Sequence, residues 1–111
     1  MPRIVDILPA RVAIWVPNAR AQSLIDIRRL FAKMFTGYTE YQTWGTFIEP
    51  KNGDLISEPT AVLEAYYDPL EILSDDVLEL LEQGIDILLR AGEVNVMTFY
   101  EDTAQLWDKG R

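Results

Sequence analysis

Glu64 and Tyr66 stand two residues apart in TAVLEAYY, residues 60 to 67, a run whose β-branched and aromatic content suits a strand. Two residues is one full period of a strand, so both side chains leave the same sheet face. A carboxylate beside a phenol on an apolar face has chemistry available to it. Burial disfavours the charged form and raises the pKa, which lets the group act as a general base with the hydroxyl as its neighbour. The structural explanation is simpler: a carboxylate hydrogen-bonded across an interface between copies, or solvated at its rim. A second acidic group, Ser74, Asp75, Asp76 and Glu79, has the spacing to hold a hard cation such as Mg²⁺. Acidic residues are equally favoured there by the helix macrodipole, so no metal ligand is assigned.

The composition narrows the chemistry further. The 111 residues contain neither His nor Cys, which removes thiolate nucleophiles, imidazole and thiolate metal ligands, and the commonest neutral-pH base. No catalytic residue and no cofactor are assigned. The net charge of −8 is unevenly placed. Residues 1 to 37 carry six Lys/Arg against two Asp, and residues 38 to 111 carry four basic residues against sixteen acidic. Nucleic acid, whose affinity comes largely from neutralised phosphates, is therefore not an expected partner. The hexapeptide IWVPNA, residues 14 to 19, resembles the first signature strand of an RNA-recognition domain. The matching strand, TAVLEAYYD, is acidic and lacks glycine, where that domain needs a basic, glycine-containing signature. The plainer account is a strand, a proline stop and an Asn cap. No apolar run approaches the ~18 residues of a membrane span, and Asp6, Pro9 and Arg11 interrupt any signal-like core, so neither a membrane nor export is expected and the cytoplasm is.

Length and composition suit one globular domain, acidic, with 49% hydrophobic residues. RVAIWV, residues 11 to 16, alternates Val12, Ile14 and Val16 against Arg11, Ala13 and Trp15. Asn18 is positioned to cap a helix from Ala19 to Phe35, with Leu24, Ile27, Phe31 and Met34 at helical spacing and Gly37 as its stop. Residues 38 to 49 suit a strand whose register is open by one, placing either Tyr41 or Trp44 on a given face. Asn52-Gly53 marks a hairpin into the strand at 60 to 67. Ser74 caps a second helix carrying Val77, Leu78, Leu81, Ile85, Leu88 and Leu89, ended by Gly92. The basic stripe Arg20, Arg28, Arg29 and Lys33 is expected near Glu79, Glu82 and Asp86 of that helix. A last strand covers residues 94 to 100, with Val94 and Val96 inward.

The order predicts an α+β, ferredoxin-like βαββαβ sandwich: an antiparallel sheet with two helices on one face. Residues 1–10 form an N-terminal arm, 11–101 the domain and 102–111 a C-terminal tail. With Val12, Ile14 and Val16 under the helices, the uncovered face carries Trp15, Val62, Glu64, Tyr66, Met97 and Phe99. An apolar face of several hundred Å² seldom stays in water. A second copy, giving a homodimer, is the leading expectation for its cover. The chain's own termini, or a small apolar or aromatic ligand, are the alternatives. Function is expected to be that of a self-associating interaction module. The alternative is a small cofactor-independent enzyme of the dimeric α+β barrel kind, with a pocket between sheets.

The run from Gly37 to Val62, with Tyr38-Thr39, Gly45-Thr46-Phe47, Asn52-Gly53, Ile56 and Glu58-Pro59-Thr60, resembles an uncharacterised bacterial family, a domain of unknown function with ferredoxin-like fold. The similarity extends over residues 12 to 100. It implies the same fold, and carries no catalytic residues with it.

Overall fold

A computed structural model describes residues 1–49 and 51–110. In chain order the elements are β1 (Ala10–Pro17), α1 (Ala21–Met34), β2 (Thr39–Ile48), β3 (Leu55–Tyr67), α2 (Ser74–Arg90), β4 (Val96–Tyr100) and β5 (Thr103–Trp107). The sheet order is β2-β3-β1-β4-β5, every pairing antiparallel. The first four strands in that order make the ferredoxin-like sandwich. The fifth strand is new: Thr103–Trp107, expected as tail, pairs along β4 from Tyr100↔Thr103 to Val96↔Trp107.

The core follows from alternation. Val12, Ile14 and Val16 are fully buried opposite Ala65, Leu63 and Ala61 of β3, and all six meet the helices. From α1 come Leu24, Ile27 and Phe31; from α2 come Val77, Leu81, Ile85 and Leu88. Gly84 explains itself here. A Cβ at that position would lie 3.1 Å from Ile14 Cδ1, so the missing side chain lets α2 sit close on β1. Phe31, Phe35, Tyr38 and Tyr67 form a tilted aromatic chain with centroids 5.5 to 6.0 Å apart.

Several local expectations are corrected. Helix α1 begins at Ala21 with Arg20 as its N-cap residue, and Asn18 instead donates its side-chain amide to Gln42 Oε1 at 2.9 Å. Leu73, not Ser74, is the N-cap residue of α2, and the Ser74 hydroxyl donates to Glu101 rather than accepting from the first turn. Gly92, with φ of 112°, does end that helix. Val94 lies before β4 and is largely exposed, since only from Val96 onward does the chain join the sheet. The hairpin at Asn52-Gly53 forms, yet Ile48↔Leu55 is its last strand pair, with the Glu49 N–H donating to the Asp54 carbonyl at 2.8 Å beyond it, so the strands are not joined by a two-residue turn. Gly53 alone of that dipeptide takes positive φ, and Asn52 Oδ1 instead accepts from the Asp54 N–H at 3.0 Å. Of the basic stripe, Lys33 does lie beside α2, lining one groove with Asp76 and Glu79, while the arginines pair elsewhere. Arg20 pairs with Glu93, Arg28 with Glu40 of β2, and Arg29 with Asp26 of its own helix.

Candidate functional site

The uncovered sheet face is built by cross-strand pairing. Trp15 lies opposite Val62, which lies opposite Tyr41; Ala13 lies between Glu64 and Phe99; Arg11 lies opposite Tyr66; Met97 lies opposite Leu106. Directly opposed residues share a face. Trp15, Val62, Glu64, Tyr66, Met97 and Phe99 are thus all brought to one side of the sheet, away from α1 and α2. The register of β2 resolves as Tyr41↔Val62 and Trp44↔Pro59. Tyr41 therefore joins the face, and Trp44 points to the helix side at a level the helices do not cover.

The face is less bare than its composition suggests. Val62 and Ala13 are fully buried, and Trp15 and Phe99 are half-buried, the Phe99 ring beneath the Arg11 guanidinium. Tyr41, Tyr66, Met97 and Leu106 remain exposed in part.

At its centre is a charged pair that the alternation pattern leaves easy to overlook. Arg11 Nε donates to Glu64 Oε2 at 2.6 Å, and the guanidinium carbon lies 4.5 Å above the centre of the Phe99 ring. The side chains are 26% and 15% exposed, so the pair is shielded from water without being sealed. Burial works against the Arg11 charge. The hydrogen bond to Glu64 and the charge of the carboxylate outweigh it, and the guanidinium pKa is raised. Two contacts hold the arginine, a carboxylate at its edge and a ring beneath its plane. Arg11 has the same parity as Trp15, and a charged residue of that parity in an apolar strand was the available signal for it.

A second polar group lies at the end of the sheet, on the helix side. Tyr67, almost fully buried, donates to Glu101 Oε1 at 3.0 Å, the Ser74 hydroxyl donates to the same oxygen, and Tyr100 donates to the Ser74 carbonyl at 2.9 Å. Burial, then the hydrogen bond to Glu101, raises the Tyr67 pKa well above the ordinary phenol value. The Tyr100 phenol is raised as well, first by burial. Glu101 occupies the turn between β4 and β5, and its N–H donates to the Arg11 carbonyl at 2.7 Å. The turn is thereby pinned to the strand that carries the central ion pair. Nothing in sequence spacing links residues 67, 74 and 101; the sheet does.

Among the acidic groups, Asp75 and Asp76 stand in the first turn of α2, where the macrodipole favours them. Asp6, Asp68 and Glu71 bring carboxylate oxygens within 4.8 Å of one another, partly in solvent. No helix among the described residues is long and apolar enough to cross a membrane.

No family model and no curated protein matches the sequence. Two solved structures share its fold. One is a phage SAM lyase in complex with S-methyl-5'-thioadenosine, with a TM-score of 0.67 at 14% identity over 96% of each chain. The other is a phage SAM lyase in its apo state, with a TM-score of 0.66 at 10% identity over all of this chain and 98% of the other. At such identities the likeness shows a common α+β architecture, end to end.

Proposed function

We propose that the uncovered sheet face binds an adenosyl sulfonium and that the protein is a small lyase releasing a thioether from it, with the face closed by a further copy of the chain. The observation that carries the reading is the Arg11–Glu64 pair set among Trp15, Tyr41, Tyr66 and Phe99. The fold shared with proteins that perform this class of reaction over nearly their whole length supports it.

The chemistry suits a chain with neither His nor Cys. When a carbon–sulfur bond of a sulfonium breaks, the bonding electrons go to sulfur and the thioether leaves neutral, so no acid has to protonate it. The carbon left behind is satisfied within the substrate. Either the substrate's own carboxylate oxygen bonds to it, or a proton on the adjacent carbon is given up to a base as a double bond forms. Glu64 is the carboxylate on the face for that second route. Cleavage destroys a positive charge at sulfur, so a site that strongly stabilised the cation would hold back the reaction. Arg11 neutralises Glu64, so the part of the face on β1 and β4 carries no net charge, with aromatic rings to receive the adenine. Base–aromatic stacking is worth about 1–3 kcal/mol per base. The Arg11 guanidinium retains further N–H donors for a substrate carboxylate.

The test is direct. Purified protein incubated with S-adenosylmethionine is expected to release S-methyl-5'-thioadenosine, detected by chromatography and mass, with the second product distinguishing ring closure from elimination. Arg11→Met is expected to abolish release, and Glu64→Gln to abolish it where the second product is that of elimination. Wild-type protein that neither releases the thioether nor binds it in calorimetry would sink the reading.

A further inference from the structure

The β2–β3 pair runs on beyond the body of the sheet. Strand β1 ends at Pro17, opposite Thr60; the Asn18 N–H still donates to the Pro59 carbonyl at 2.9 Å, but from Trp44↔Pro59 to Ile48↔Leu55 no third strand among the described residues lies beside the two. Five residue pairs and a turn make a ribbon of about 20 Å. The molecule is elongated, 56 × 33 × 25 Å, with a radius of gyration of 15.2 Å where a compact chain of this length has about 13 Å, and the exposed residues 1–9 contribute to this along with the ribbon. A two-stranded ribbon is marginally stable in water by itself. This one is also apolar on the side shared with the helices. Trp44 is 68% exposed, Ile48 65% and Leu55 74%, and the residues between them on that side, Thr46, Ser57 and Pro59, carry no charge.

We propose that the ribbon of one copy lies across the uncovered sheet face of a second copy and supplies Trp44 to its ligand site. The proposal rests on the reading of that face as the site, and adds what closes it. Dimensions agree: four strands at about 4.8 Å spacing span roughly 15–20 Å, the length of the ribbon. Charge agrees as well. Two chains of net charge −8 repel one another over most of their surface. The ribbon side is uncharged, and on β1, β4 and the part of β3 beside them the receiving face carries just the mutually neutralised Arg11 and Glu64. Area agrees too. The exposed parts of Trp44, Ile48 and Leu55, taken with those of Tyr41, Tyr66, Met97 and Leu106, amount to several hundred Å² per chain. That is the scale of a standard interface, about 800 Å² per partner. Each copy gives one ribbon and receives one, so the contact closes as a reciprocal pair or a ring.

The chain has no cysteine, so introduced thiols report without background. Leu55→Cys and Met97→Cys proteins, prepared separately, mixed and oxidised, are expected to form a disulfide-linked heterodimer, with little linkage in either alone. Light scattering on the wild-type protein is expected to give an oligomer. The double variant Trp44→Lys/Leu55→Lys, with unchanged far-ultraviolet circular dichroism, is expected to associate at least about 30-fold more weakly. A wild-type monomer would overturn the proposal. So would linkage of Leu55→Cys mainly to itself, which signals ribbons paired edge to edge, or an oligomer indifferent to the lysines. None of these readouts uses a sulfonium. Protein that crosslinks as expected but is inactive fails the functional reading alone, and active protein that stays monomeric fails the ribbon proposal alone.

Discussion

The Arg11–Glu64 pair sets a quantitative expectation. Breaking a fully buried ion pair by removing one member costs 3–5 kcal/mol, and an exposed pair contributes 0.2–1 kcal/mol. With side chains 26% and 15% exposed, the pair lies between these limits. The two halves are not equivalent. Glu64→Leu leaves a guanidinium that keeps the Phe99 ring 4.5 Å beneath it, a contact worth about 1 kcal/mol. Arg11→Met leaves a more deeply buried carboxylate from which its arginine partner has been taken. Glu64→Leu should therefore cost about 1–2 kcal/mol and Arg11→Met about 2–3 kcal/mol. The double variant should cost less than either, because two apolar side chains on an aromatic face leave no charge stranded. The coupling, read from urea unfolding at neutral pH, is then about 2 kcal/mol. Unfolding is best measured in the Trp44→Lys/Leu55→Lys background, where association does not add to stability. Additive costs, with coupling below about 0.5 kcal/mol, would mean the pair behaves as a solvated one, and would refute the view of it as the shielded centre of the face.

Other positions give shorter tests. Gly84→Ala gains about 1 kcal/mol of helix propensity but forces a methyl to 3.1 Å from Ile14 Cδ1 in a fully buried layer, where overpacking costs about 1–3 kcal/mol. A net loss is expected, and a raised melting temperature would show that Ile14 has room to move. Of the five tyrosines, Tyr67 and Tyr100 should ionise last when phenolate absorbance is followed against pH. Since the folded Tyr67 pKa exceeds the unfolded value of about 10, its contribution is complete below that pH and is lost above it, so stability falls on the alkaline side. On the acid side, the hydrogen bonds from Arg28, at 2.6 and 2.7 Å, lower the Glu40 pKa. That contribution is present above about pH 4.3 and lost as pH falls through the depressed value. Arg28→Ala should flatten the acid limb of the stability profile and cost no more than about 1 kcal/mol, because Arg28 is well solvated.

The elements that carry their own pattern were legible before the structure. Val12, Ile14 and Val16 alternate over enough residues to fix the buried face of β1, and the same period places Leu63 and Ala65 beneath the helices and Trp15 and Tyr66 outside. The stripes of α1 and α2 needed no neighbour to be recognised. What the sequence withheld is pairwise. TAQLW is too short to announce a strand, and becomes one because β4 offers it an edge. The choice between Tyr41 and Trp44 depends on a register set across β3, so no property of residues 38 to 49 settles it. Arg11 needed its distant partner Glu64 to be read as part of a site. Arg20, Arg28, Arg29 and Lys33 were expected near the acidic residues of α2; Lys33 lies beside Glu79, while Arg20 and Arg28 found partners outside both helices.

The turn at Glu101 shows how one residue can serve both sides of the sheet. Tyr100↔Thr103 leaves a two-residue connection, and such a connection favours positive φ at its first position, usually supplied by glycine or asparagine. Glu101 accepts φ of 60° instead, at a cost of about 1–2 kcal/mol. Glycine there would relieve the strain and keep the N–H that reaches the Arg11 carbonyl, but would leave the Tyr67 and Ser74 hydroxyls without their acceptor. Two buried or half-buried donors left unsatisfied cost about 1–3 kcal/mol each, more than the backbone strain. The glutamate is thus favoured because its carboxylate ties the first turn of α2 to the end of β3 while its amide holds β1 at the residue whose side chain meets Glu64. The position of Arg11 on the open face is referred, through one backbone bond, to the packing of the helices on the other.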